Sequence, residues 1–81
     1  MLMKYIHAVM EKAHYEFLKR DHKFYGEISV CRGVYATGDS LEECRGELEE
    51  VLEEWILFRV AKNLQVPSIK GIRLKVKEVA V

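Results

Sequence analysis

From Ser40 to Asn63 apolar residues recur at three- and four-residue spacing, a period that predicts one amphipathic helix of about six turns. Leu41, Cys44, Leu48, Val51, Leu52 and Trp55 fall on one stripe. Glu42, Glu43, Glu47, Glu49, Glu50, Glu53 and Glu54 fill the other side, with Arg45 as the cation among them. Ser40 is placed to cap the free N–H groups of the first turn, and Glu43, three residues on, to complete a capping box. Gly38 and Asp39 supply the preceding turn, and Pro67 blocks continuation beyond the helix. The strands are expected to pack on this helix.

The pattern elsewhere gives shorter elements. Leu2, Tyr5, Ile6, Val9, Met10 and Ala13 follow a helical period, so Met1 to Lys12 reads as a short first helix that must dock its apolar side. His14 to Leu18 alternates as a strand, with Tyr15 and Phe17 on one side. Lys19 to Lys23 is a polar hairpin loop without the Gly of a tight primed turn. Phe24 to Val30 reads as a second strand and Val34 to Thr37 as a third, joined by Cys31-Arg32-Gly33 in an antiparallel meander. After a loop over Leu64 to Gly71, Ile72, Leu74 and Val76 alternate with Arg73, Lys75 and Lys77 in a last strand, Ile72 to Ala80. The expected fold is α+β, a two-layer αβββαβ arrangement with the helices on one sheet face and a right-handed crossover to the fourth strand.

One apolar feature is in excess. Trp55-Ile56-Leu57-Phe58 puts apolar side chains all round the helix within one turn. Leu57, Val60 and Leu64 then form a second stripe pointing away from the sheet. Three outcomes are open: the first helix docks there, a second copy covers it in a homo-oligomer (a dimer or larger), or it stays partly exposed.

Eighty-one residues, 49% apolar and 32% charged, make a single globular domain spanning 1–81. A chain of this size buries about 60–65% of its unfolded surface, and oligomerisation is a common remedy for that shortfall. No apolar run approaches the roughly 18 residues of a membrane span. Lys4, His7, Glu11 and Lys12 interrupt the first segment, so it is not read as a signal peptide. Cys31 and Cys44 lack a CxxC spacing and read as reduced, buried thiols of a cytoplasmic protein. The formal net charge of zero conceals a division: Asp39 to Glu54 holds eight acids and one base, and the remainder carries an equal positive excess. The acidic half suits the helix dipole and also offers a docking face for a basic partner.

Catalytic chemistry finds little footing. A metal-dependent nuclease needs carboxylates converging at the end of a sheet. Here the first strand offers only Glu16 and the last only Glu78, Asp21 and Asp39 fall in turns, and the helix acids face away. His7, His14 and His22 are scattered over different elements and give no zinc spacing. Cys44 and Trp55 lie on the sheet-facing stripe and read as core, and the basic outer row of the last strand reads as solubility or edge protection. No catalytic residue, cofactor or metal ligand is expected, so the chain is not read as an enzyme.

Four stretches together carry a likeness: His14-Tyr15-Glu16-Phe17-Leu18; Phe24-Tyr25-Gly26-Glu27-Ile28; Gly33 through Cys44, with its Gly-Asp-Ser-Leu-Glu-Glu-Cys turn and cap; and Leu48 through Trp55. Together they resemble the HicB-like antitoxins, in the short form with an extra N-terminal helix. The resemblance covers nearly the whole chain. It implies a partial RNase-H-like βββαβ fold and a non-catalytic role: binding and occluding a small basic HicA-type toxin that cleaves mRNA. Many HicB proteins add a C-terminal DNA-binding segment. This chain ends at Val81 without one, so direct DNA binding is not expected. The acidic face, Glu43, Glu47, Glu50 and Glu54, is the expected toxin-docking surface, and Leu57, Val60 and Leu64 the expected oligomer interface. The alternative is a solitary homo-oligomeric protein with no toxin partner.

Overall fold

The computed structural model describes residues 2–68. Its elements run α1 (Leu2–Met10), β1 (His14–Leu18), β2 (Lys23–Glu27), β3 (Tyr35–Gly38) and α2 (Leu41–Ala61). This is the expected α+β order of helix, three strands and helix; the strand expected at Ile72 to Ala80, its basic row and its crossover lie outside the described residues.

The strands form an antiparallel sheet in the order β1-β2-β3. Tyr15 pairs with Gly26 and Phe17 with Phe24 across the first hairpin, and Gly26 pairs with Ala36 and Phe24 with Gly38 across the second. Because side chains alternate, these residues share the face turned to the helices, while Glu16, Tyr25 and Thr37 share the other. Gly26 has a specific reason to be glycine: the Tyr15 ring lies across it, and a Cβ there would come within 2.8 Å of that ring.

The second strand ends at Glu27, short of the expected Val30, and the third begins at Tyr35. The chain turns rather than alternates. Cys31 N–H donates to the Ile28 carbonyl at 3.1 Å, Val34 N–H to the Cys31 carbonyl at 3.1 Å, and Gly33 takes a φ of 89°. Ile28, Cys31 and Val34 thereby all point inward and are buried, whereas Val30, aligned with the core in the expected strand, is exposed. The first hairpin loop solves its missing glycine by placing His22 at φ 52°, a region that costs a non-glycine residue conformational energy.

α2 begins as expected and ends differently. The Glu43 N–H donates to Ser40 Oγ at 3.1 Å, and Glu43 Oε2 accepts in return from the Asp39 N–H at 3.2 Å, one residue ahead of the usual capping-box partner. The helix closes ahead of Pro67. Asn63 adopts a left-handed φ of 57°, its N–H donates to the Val60 carbonyl and that of Leu64 to the Arg59 carbonyl at 2.8 Å, which is a Schellman closure.

The buried line of α2 is Cys44, Leu48, Leu52 and Ile56. Val51 and Trp55 flank it half-buried, and Leu41, expected on the stripe, is exposed at the helix start. Cys44 sits over the sheet, its thiol 3.6 Å from the Ala36 carbonyl. α1 packs on the same side, against α2, burying Tyr5, Ile6, Ala8 and Val9 in one core with Ile28, Cys31, Val34, Leu48, Leu52 and Ile56. Each large aliphatic side chain fully buried there contributes about 1.5–3 kcal/mol of transfer free energy. Both cysteines are free and buried. Burial pushes the Cys31 thiol up to about 11, against a smaller downward pull from Arg59, and Cys44 shifts up for the same first reason.

Candidate functional site

The outward side of α2 is a run of carboxylates. Glu42, Glu43, Glu47, Glu50, Glu53 and Glu54 are exposed and Glu49 is half-buried. Among the described residues the salt bridge is Lys23–Asp39 at 3.0 Å, so Glu47, Glu50 and Glu54 are not neutralised by a paired cation there. Glu43 differs from them, since its carboxylate is engaged at the helix cap. The expected docking residues therefore divide into one that holds the helix start and three that face water.

Glu47 and Glu50 overlook a shallow groove of about 450 Å³ between α2 and the end of β3. Lys23, Thr37, Asp39 and Gly46 are also in its lining. Gly46 is not singled out by the sequence pattern. It lies inside α2 with nothing within 4 Å of the position of a Cβ, so packing does not require it. A glycine in a helix interior costs about 0.5–1 kcal/mol relative to alanine. Its signal in the sequence is its place inside an otherwise helical run, and it leaves a flat spot amid the carboxylates where another backbone can approach.

The expected apolar stripe also divides. Leu57 is 62% and Leu64 46% exposed, while Val60 is half-buried and packs on the core. Phe58, the next residue along α2, is 52% exposed as well. α1 does not cover the stripe, because α1 meets the opposite, core-facing side of α2. A second open groove lies between the end of α1 and the start of α2, lined by Met10, Tyr15 and Leu41 among others, which accounts for the exposure of Leu41.

Among the described residues no group of His, Cys, Asp or Glu converges to hold a metal ion, and no helix is long and apolar enough to cross a membrane. The outer sheet face carries Tyr25 and Tyr35 stacked at 6.2 Å, with the Tyr25 hydroxyl donating to Glu27 at 3.3 Å.

The UPF0150-like family matches residues 4–67, from the first helix through both hairpins to the proline beyond α2. The chain belongs to the UPF0150-like family. That family is related to the HicB-like antitoxins. The crystal structure of TTHA0281 from Thermus thermophilus is similar over 95% of each chain, at 36% identity and a TM-score of 0.88. No curated protein matches. UPF0150-like membership thus rests on sequence, and the TTHA0281 likeness extends it to the backbone.

Proposed function

We propose that this UPF0150-like protein is a cytoplasmic, non-catalytic binding protein of the antitoxin type, which occludes a small basic HicA-type RNA-cleaving partner. The observation that carries the reading is the solvent-facing carboxylate row of α2, in which Glu47, Glu50 and Glu54 have no paired cation among the described residues. A cationic partner that covers this face neutralises it and gains rapid, charge-steered association. The kinship of the family to HicB-like antitoxins supports the same reading. Glu43 acts in it as the residue that fixes the start of the docking helix. The direct test is RNA cleavage by the HicA-type partner with increasing amounts of this protein. Cleavage falls stoichiometrically with wild-type protein and persists with Glu47→Lys/Glu50→Lys. Cleavage unaffected by wild-type protein rejects the reading.

The exposed Leu57, Phe58 and Leu64 favour a second reading, a homo-oligomer without a toxin partner, in which a second copy covers this patch. Light scattering at high concentration tests it: a monomer removes its support, and a dimer or larger that Leu57→Glu dissociates sustains it.

A further inference from the structure

A groove of about 430 Å³ lies on another part of the molecule, between the turn after β2, the last turns of α2 and the segment leading to Pro67. Its chemistry is opposite to that of the acidic face. Arg32 and Arg59 both line it, and no carboxylate is among its described lining residues. Arg59 is held in place twice. Its guanidinium lies 4.8 Å from the centroid of the Trp55 ring, and its Nε donates to the Gln65 carbonyl at 2.6 Å. The two terminal amino groups of Arg59 are left without a partner among the described residues. Arg32 is exposed and likewise unpaired among them. Ser29 contributes a hydroxyl, and Val66 and Pro67 form an apolar wall.

We propose that this groove binds a phosphate monoester of a small organic molecule, with Arg32 and Arg59 gripping the phosphoryl oxygens and the Val66–Pro67 wall contacting the organic part. Guanidinium groups bind phosphate through paired N–H donors, and one fixed by stacking gives up less freedom on doing so. Two cations match the charge of about −1.5 to −2 on a phosphate monoester at neutral pH, whereas one carboxylate would leave a positive charge uncompensated. The apolar wall gives an ester an advantage over inorganic phosphate. None of this depends on the acidic face or on a protein partner.

Trp55 is the sole tryptophan of the chain and lies in the groove, so its fluorescence reports occupancy. The intact protein is titrated with glucose 6-phosphate, adenosine monophosphate, inorganic phosphate and, at matched ionic strength, sodium chloride, with calorimetry of the same titrations. The two esters are expected to bind saturably and more tightly than inorganic phosphate, and sodium chloride to give no saturable signal. Arg32→Ala, at an exposed position and with an unchanged circular dichroism spectrum, is expected to weaken ester binding at least about tenfold. Arg59→Lys is expected to weaken it too, because the charge stays and the paired donors are lost. No saturable response to the esters, equal binding by Arg32→Ala, or inorganic phosphate bound as tightly as the esters would each overturn the proposal.

Discussion

The Tyr5 hydroxyl donates to the carbonyl oxygen of Pro67, 62 positions away in sequence, and so ties the first helix to the segment that leaves the last one. Tyr5 has none of its surface exposed and sits in the core beside residues of α2. Replacing it by phenylalanine keeps the ring and removes the donor. Tyr5→Phe is expected to cost about 1–2 kcal/mol, read as a lower urea midpoint with an unchanged slope. An unchanged midpoint would mean that this bond adds nothing net.

Two glycines of similar appearance in the sequence should respond in opposite directions. A Cβ on Gly38 would lie 2.4 Å from the Cys44 backbone nitrogen, and backbone cannot step aside. Gly38→Ala is expected to destabilise by at least about 2 kcal/mol, because the β3–α2 junction must open. Gly46 faces open space, so Gly46→Ala should stabilise by about 0.5–1 kcal/mol. Thermal melts of the two variants against wild type check both signs.

The contrast also marks how far the pattern of the sequence reaches. The apolar period of α2, the cap at Ser40 and the strand His14–Leu18 are legible because each is a local signal, a period or a spacing within a few residues. The end of the second strand is not. Phe24, Gly26, Ile28 and Val30 alternate well enough to read as one strand, and a shared inward plug of Ile28, Cys31 and Val34 becomes favourable only once α1 and α2 enclose it. Likewise Leu57 and Val60 share a stripe by spacing, yet tertiary packing exposes one and half-buries the other. Of the acidic face, the sequence reveals which residues compose it, but not that Glu43 is taken by the cap or that Gly46 opens a groove among them.

The closure of α2 gives a prediction of its own. Asn63 holds the left-handed conformation that glycine adopts without a Cβ clash. Asn63→Gly should leave stability within about 0.5 kcal/mol of wild type, and Asn63→Val should lose at least about 1 kcal/mol, since a β-branched residue resists positive φ. Denaturant midpoints of the pair distinguish this from termination by Pro67, under which both would be neutral.

Alkaline pH should unfold the protein early. Burial, with a smaller contribution from the Cys31 charge, holds Tyr5 up to about 12 against its ordinary 10.0. Burial holds Cys31 up to about 11 against 9.0, with Arg59 opposing. Between pH 9.0 and about 11 to 12 the unfolded chain therefore binds fewer protons than the folded one, so stability falls as pH rises through that window and is complete below it. Denaturation at about pH 8 and about pH 10.5 should show the loss, and Cys31→Ala should reduce it. A midpoint constant across that range would contradict the burial of these groups.

Docking of a basic partner on the acidic face of α2 is decided by recovering the tagged protein from its own host at low salt, beside the Glu47→Lys/Glu50→Lys variant. Wild type is expected to retain a small basic RNA-cleaving protein at a fixed ratio and to release it in high salt, and the variant to retain none. Equal retention by the variant, or recovery of wild type with nothing but copies of itself, would contradict it.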